Sequence, residues 1–137
     1  MRTALDTNIV SSIWLAVPTA GVITAALAKL RSEGALVISA PVFIELSAVP
    51  GLTARMVRKA LAEMSISIDF DMGEEVWQLA ATTFSDYAIR RRRSGGGSAR
   101  RFPADFIIAA HAQLKADRLM TRDARRYSLD FPNLRLI

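Results

Sequence analysis

The chain has no cysteine and only one histidine among its 137 residues. The lack of cysteine excludes disulfides, thiolate zinc sites and cysteine nucleophiles, and it fits a protein of the reducing cytoplasm. A single histidine excludes a metal site built from several imidazoles. Any metal must therefore be bound by oxygen atoms, and oxygen ligands favour Mg²⁺ or Mn²⁺.

A long uninterrupted apolar segment is also missing. The longest uncharged stretch runs from Thr7 to Ala28, and it has some features of a signal peptide. Asp6 lies at its head, Pro18 and Gly21 interrupt it, and serines and threonines dilute it. We therefore expect two short helices of a soluble protein, and no membrane span.

Length, composition and charge favour one globular domain over residues 1–137 with a basic C-terminal part. Apolar residues make up 51% of the chain, which is enough for a core. The net charge is +5, but residues 86–137 carry 12 Lys or Arg against 5 acids, whereas residues 1–85 carry 6 against 8. The C-terminal part is expected to meet a polyanion or an acidic protein.

Apolar patterns, prolines and glycines predict strands that alternate with helices. This alternation is typical of an α/β fold with a central parallel sheet and helices on both faces. The expected strands are 2–5, 35–39, 65–68, 118–121 and 134–137, and the expected helices are 8–15, 21–32, 41–48, 53–64, 72–93 and 103–116, with a flexible loop at 94–99.

Four acidic residues fall where such a fold places its functional groups. Asp6 ends the first strand, Asp123 follows the strand RLMT, and Asp105 begins a helix. Glu45 lies one turn into the helix PVFIELSA. Function in these sheets gathers beyond the carboxyl ends of the strands, so we expect all four carboxylates on one rim.

Glu45 is expected to have only apolar neighbours on its helix. At 100° per residue these neighbours are Val42, Ala48 and Val49. An unpaired carboxylate buried on such a surface costs several kcal/mol, by order of magnitude, so it would need a cation. The alternative is an exposed glutamate on a short helix.

Asp105 has a structural interpretation as well as a functional one. It follows Pro103 in the segment PADFIIAAHA, and an acid in the first turn of a helix favours the positive end of the dipole. It shares its face with Ala109, Ala112 and Ala116, which allow close approach of a neighbour or leave room above the carboxylate.

Four acids on one rim would repel one another without a counter-ion. A hard divalent cation is the simplest answer. Such an ion polarises a phosphodiester and lowers the pKa of a bound water, which allows hydrolysis without a histidine or a covalent intermediate.

The segments that carry these acids also resemble a known family. ALDTN, FIEL, PADFIIAAHA and TRD are similar to the four motifs of the PIN domain, in order and at the usual spacing. The resemblance spans the whole chain, and its short single-domain form is similar to the VapC toxins of bacterial toxin–antitoxin pairs.

The resemblance implies a three-layer α/β/α sandwich with a parallel sheet and a metal-dependent endoribonuclease that acts as a toxin. It implies Mg²⁺ or Mn²⁺ as cofactor, RNA as substrate, an inhibitory antitoxin as partner and a homodimer. The catalytic and metal-binding acids would be Asp6, Glu45, Asp105 and Asp123, with Asn8 and Thr121 in supporting positions.

Basic residues surround a glycine-rich loop and follow the last acid. They are expected to contact RNA phosphates or the antitoxin, although a run of arginines at a helix end is equally typical of a solvated end. The residues concerned are Arg90, Arg91, Arg92, Arg93, Arg100, Arg101, Arg125 and Arg126.

The histidine and the aromatic residues favour structural roles. His111 lies about 120° around the helix from Asp105 and does not share its face, so we expect a packing or surface histidine. The aromatic residues in helical patterns are expected in the core or at a dimer interface, and they are Trp14, Trp77, Phe84 and Tyr87.

Two other function classes stay open. A haloacid-dehalogenase-type phosphatase would use Asp6 as nucleophile, but it requires a second acid where this chain has Asn8. A non-catalytic RNA-binding or adaptor protein on the same fold would be favoured by loss of one acid, and all four are present.

Overall fold

A computed structural model describes all of residues 1–137 as alternating strands and helices. The strands are β1 (Thr3–Leu5), β2 (Leu36–Ser39), β3 (Ile66–Asp69) and β4 (Arg118–Met120). The helices are α1 (Thr7–Trp14), α2 (Ala20–Glu33), α3 (Ala40–Leu46), α4 (Ala54–Glu63), α5 (Glu74–Arg93), α6 (Pro103–Lys115) and α7 (Arg125–Ser128).

The four strands form one parallel sheet in the order β3-β2-β1-β4. Right-handed crossovers place α1 to α4 on one face and α5 and α6 on the other. Most helix contacts follow this division, because α1 contacts α2 and α3, α3 contacts α4, and α5 contacts α6, while α3 also contacts α6. The expected three-layer α/β/α arrangement with a parallel sheet is confirmed.

The strand order determines where a site can form. The chain adds β2 and β3 on one side of β1 and then crosses to place β4 on the other side. The loops that follow β1 and β4 therefore diverge to opposite faces and leave a crevice between them. Asp6 follows β1, and the segment from Thr121 to Asp123 follows β4. Two of the predicted acids thus lie at this crevice.

The C-terminal strand expected at 134–137 forms only in part. It pairs in parallel with β4 around an isolated bridge between Leu136 and Leu119. The backbone N of Leu134 donates to the carbonyl of Phe131 at 3.0 Å. This hydrogen bond closes a turn that ends at Leu134, so Leu134 does not extend the strand. Leu119 N donates to the carbonyl of Arg135 at 2.8 Å, Ile137 N donates to the carbonyl of Leu119 at 3.0 Å, and Thr121 N donates to the carbonyl of Ile137 at 3.0 Å, so residues 135–137 lie along the sheet edge beside β4.

Two helix boundaries and one short helix also differ from expectation. Helix α3 ends at Leu46, so Ala48 and Val49 lie beyond it and are not neighbours of Glu45 on its surface. Helix α5 begins at Glu74 because Gly73 caps it at φ 82°, a left-handed conformation that favours glycine. The single turn of α7 was not expected, since four residues show no readable periodicity.

No helix of this fold has both the length and the apolar character needed to cross a bilayer.

His111 is buried and paired, which agrees with a packing role. Its Nε2 lies 2.7 Å from Oδ2 of Asp69, at the end of β3, and Arg2 contacts the same oxygen at 2.7 Å. Burial lowers the pKa of His111, although the charge and hydrogen bond of Asp69 oppose the effect. The imidazole is therefore neutral at pH 7, and its Nε2–H donates a hydrogen bond to the carboxylate.

The single histidine makes this pair testable by pH. Below about pH 6.5 the unfolded chain binds a proton at His111 that the folded chain does not bind until lower pH. The free energy of unfolding should therefore fall on acidification, by at most about 1.4 kcal/mol per pH unit from this group. His111→Gln keeps a donor for Asp69 but does not titrate, so the fall should be shallower. Urea unfolding at pH 7, 6 and 5 measures both slopes, and equal slopes would contradict the assignment.

Candidate functional site

The carboxylate of Asp6 is the centre of a hydrogen-bond network at the crevice. Asp6 caps α1, and its Oδ1 accepts from the backbone N of Thr7 at 2.7 Å. Its Oδ2 accepts from Thr121 Oγ1 at 2.8 Å, from the hydroxyl of Tyr127 at 2.9 Å and from Asn8 Nδ2 at 3.3 Å. Only 2% of the residue is exposed, so these donors replace the water that an ionised carboxylate requires.

Asn8 and Thr121 join the loops that follow β1 and β4. Asn8 Oδ1 accepts from the backbone N of Arg122 at 3.1 Å. Thr121 Oγ1 accepts from the backbone N of Asp123 at 3.1 Å while it donates to Asp6. Both side chains therefore lie where a supporting role requires them, between the first and the last of the predicted acids.

Asp105 lies in the first turn of α6, partly buried beside the same crevice. Loss of hydration raises its pKa above the usual value. The guanidinium groups of Arg126 and Arg101 oppose this rise, and the negative charge of Asp6 adds to it. The two arginines therefore do not fully offset the loss of hydration and the charge of Asp6, and ionisation of Asp105 stays unfavourable relative to a free aspartate.

Glu45, near the end of α3, completes the group of interacting acids. The residue is exposed, yet loss of hydration at its carboxyl raises its pKa, and the charges of Asp6 and Asp105 raise it further. The hydroxyl of Thr7 opposes the rise, although no hydrogen bond of normal geometry reaches that buried oxygen. The charge of Asp6 thus acts on both Glu45 and Asp105, and that of Asp105 acts on Glu45.

Asp123 lies at the edge of this group. Its side chain is 47% exposed, and its nearest cation is Nε of Arg126, 3.6 Å from Oδ2. Its charge affects Arg126 but is not among the main influences on the pKa of Asp105 or Glu45. The structure therefore brings three predicted acids together and leaves the fourth connected to them through an arginine.

The oxygen-only donor set has the right chemistry for a hard cation. No three acidic or histidine side chains, however, converge closely enough to hold an ion in this arrangement. Arginines lie in the space instead, because Arg126 Nη1 is 3.6 Å from Oδ1 of Asp105 and Arg101 Nε is 3.6 Å from Oδ2. The acids that a metal would need are present, but arginines of the chain itself lie against Asp105.

A cavity of about 690 Å³ opens above these acids. Glu45 and Asp105 contribute acidic groups to its wall, and three arginines contribute basic ones. The remaining lining is small or apolar, so charge dominates the surface. The complete lining is Glu45, Arg100, Arg101, Phe102, Ala104, Asp105 and Arg126. A polyanion could contact the basic groups while it presents a reacting bond to the acidic ones.

The eight arginines predicted to contact RNA or a partner do not share one environment. Asp130, whose side chain is 3% exposed, pairs with both Arg90 and Arg101. Arg91 donates to the carbonyls of Gly96 and Ser98 and so closes the glycine loop. The other five are free of close hydrogen-bonded partners: Arg92, Arg93, Arg100, Arg125 and Arg126.

The aromatic residues divide between core and surface. Phe84 and Tyr87 pack against Phe106, with ring centroids 5.0 and 5.5 Å apart, as expected for core residues. Trp14 is partly buried against the core, whereas Trp77 is half exposed. None of the four lines the cavity above the acids.

Sequence reasoning missed Tyr127 and Asp130. Burial raises the pKa of the Tyr127 hydroxyl far above its usual value, and the charge of Asp6 adds to this, so the group is a hydrogen-bond donor at neutral pH. Asp130 pairs with arginines that lie 40 and 29 residues away in the chain. No local pattern marks either residue, because their partners are distant in sequence.

Comparison with known proteins adds a family and a fold. None of the curated proteins matches the chain. A chain of VapBC2 from Rickettsia felis, solved bound to a DNA fragment from their promoter, is similar with a TM-score of 0.66 and 21% identity, covering 100% of this chain and 98% of that one. A chain of VapBC-1 from nontypeable Haemophilus influenzae is similar with a TM-score of 0.66 and 20% identity, covering 100% and 97%.

Similarity at this level of identity shows a shared fold, which agrees with the α/β/α arrangement described above. The family assignment has a separate basis. The model of the PIN domain matches residues 3–132 and includes the segments that carry all four acids. Because this match extends over nearly the whole sequence, the chain belongs to the PIN-domain family.

Proposed function

We propose that this chain is a metal-dependent endoribonuclease that acts as the toxin of a toxin–antitoxin pair in the cytoplasm. The observation that supports it best is the pair of Glu45 and Asp105 at the wall of an arginine-rich cavity, where loss of hydration and the nearby charge of Asp6 raise the pKa of both carboxyl groups. PIN domains are generally nucleases, and membership of that family gives the reaction class.

The proposed metal ligands are Asp6, Glu45, Asp105 and Asp123, and the ion is Mg²⁺ or Mn²⁺. When bound, such an ion would polarise the phosphodiester and lower the pKa of an attacking water. The chain supplies the orientation: Thr121, Asn8 and Tyr127 hold Oδ2 of Asp6 from three directions. That oxygen is thus fully occupied, which leaves Oδ1 as the more available atom.

The phosphatase alternative loses its main support. A phosphatase of that class requires a second acid at position 8, whereas the amide of Asn8 lies there and donates to Oδ2 of Asp6. The non-catalytic RNA-binding alternative keeps the arginine-rich cavity but gives no role to the acids. Cleavage is therefore the property that separates the two.

Cleavage of RNA should require Mg²⁺ or Mn²⁺ and stop in EDTA. Glu45→Gln should lower the rate by more than the about 10- to 100-fold that loss of an outer partner costs at metal sites. Glu63→Gln is the matched control, because Glu63 is also an exposed glutamate near a helix end but lies away from the cavity. Undiminished cleavage in EDTA would contradict the proposed metal dependence. RNA binding without cleavage under any condition would favour the adaptor.

Asp105 should separate function from stability. Asp105→Asn should leave the unfolding free energy in EDTA unchanged or higher, because burial and Asp6 disfavour its charge. Cleavage should nevertheless be lost. Asp130→Asn is the contrasting variant, since it weakens two arginine pairs at a nearly buried carboxylate and should cost about 1–3 kcal/mol. Chemical unfolding and a cleavage assay measure both effects, and equal destabilisation by the two variants would make Asp105 a structural residue.

The proposed partners are RNA, an inhibitory antitoxin and a second copy of the chain. The similar VapBC structures support the antitoxin. For a homodimer, one apolar surface surrounds the half-exposed Trp77, where Phe84 and Ile107 border a cavity of about 180 Å³ between α5 and α6.

The toxin role predicts a neighbouring gene as well as an activity. The adjacent reading frame should encode a small DNA-binding protein, and its co-expression should relieve growth arrest caused by this chain. Growth curves with and without that protein measure the effect. Growth arrest that the neighbour does not relieve, or no arrest at all, would contradict the toxin role while leaving the nuclease intact.

A further inference from the structure

Arg126 lies between the acids and a second basic surface. It belongs to α7, which Tyr127 anchors, since Tyr127 is fully buried and donates to Asp6 at 2.9 Å. The side chain of Arg126 is itself 41% exposed. It lines both the cavity above the acids and a neighbouring cavity of about 350 Å³ that includes Arg125. The backbone at this residue is therefore fixed, whereas its guanidinium borders two cavities and can turn towards either one.

Arg126 lies within ion-pair distance of two acids but forms no hydrogen bond of normal length with either. Its Nη1 is 3.6 Å from Oδ1 of Asp105, and its Nε is 3.6 Å from Oδ2 of Asp123. Both distances exceed the 2.7–3.2 Å of a normal hydrogen bond, so charge attraction alone holds the side chain there. Half-exposed pairs of this kind contribute little to stability and are readily exchanged.

Arg101 contacts the same carboxylate but is held differently. Its Nη1 lies 2.7 Å from Oδ2 of Asp130, and its guanidinium lies 4.5 Å from the ring centroid of Phe106. The side chain is 21% exposed. A cation that approaches Asp105 would therefore move Arg126 more easily than Arg101.

We infer that Arg126 is an internal counter-ion of Asp105 and Asp123, which a divalent cation displaces from them when it binds. The inference rests on the proposed function, because the ion is the one those acids would hold. A guanidinium and a divalent cation repel each other, and they compete for the same carboxylate oxygens. Once displaced, Arg126 is free to meet a phosphate of the RNA in the cavity that it already lines.

Titration of Mn²⁺ into protein without RNA tests the competition directly. The free-ion signal in electron paramagnetic resonance gives the dissociation constant, so no cleavage is measured. Arg126→Gln should tighten Mn²⁺ binding by about three- to tenfold, the range expected for two half-exposed ion pairs. Arg125→Gln is the matched control: it removes the same charge from the same turn but has no carboxylate within ion-pair distance, so Mn²⁺ affinity should change little.

A further variant makes the result specific to the contacts. Arg126→Lys keeps the charge but lacks the planar fork of the guanidinium, so its affinity should lie between wild type and Arg126→Gln. Circular dichroism in EDTA should show the same fold for all variants, since Arg126 contributes no buried contact.

The outcomes separate the two proposals. If wild type binds Mn²⁺ and Arg126→Gln binds no more tightly than Arg125→Gln, the counter-ion inference is wrong and the metal site stands. If no variant binds Mn²⁺, both are wrong.

Binding of a 2′-O-methyl oligoribonucleotide, which resists cleavage, tests the release of Arg126. Arg126→Gln should lower the salt dependence of RNA binding by roughly 0.7 in log–log slope in Mn²⁺ and by less in EDTA, where the arginine stays on the acids. An equal reduction in Mn²⁺ and EDTA would overturn the release.

Discussion

The buried carboxylate of Asp6 holds the site together. It accepts hydrogen bonds from Thr121, Tyr127 and Asn8 on one oxygen and from the backbone of Thr7 on the other. These donors come from α1, from the loop after β4 and from α7. A buried carboxylate that lost them would be strongly unfavourable, so the loops on both sides of the crevice are tied to one charge.

The remaining charges are balanced around that fixed point. Asp105 and Glu45 add negative charge beside Asp6, and partial loss of water makes that charge costly. Arg101 and Arg126 approach Asp105 without a normal hydrogen bond, so the acids stay available to a stronger cation. The proposed ion would have to compete with these two arginines for the carboxylate of Asp105.

Asp130 gives the basic segment its internal order. In the sequence, the arginines around the glycine loop are a uniform basic run. One nearly buried carboxylate removes Arg90 and Arg101 from that run, while Arg91 closes the loop. The arginines that remain free for a polyanion are therefore fewer than the composition indicates, and Arg126 is the one nearest the acids.

The sequence by itself determined the α/β class, the parallel sheet and the positions of the acids, because strand runs, caps and acids after strands are local signals. The same signals overestimated the length of the last strand, because a turn ends at Leu134 and only residues 135–137 pair with the sheet edge. Only the tertiary structure decided that the hydroxyl of Tyr127 reaches Asp6, that Asp130 binds two arginines and that Arg126 lies against Asp105. These contacts join residues far apart in the chain, and their geometry depends on how the sheet brings β1 beside β4, which spacing along the sequence does not encode.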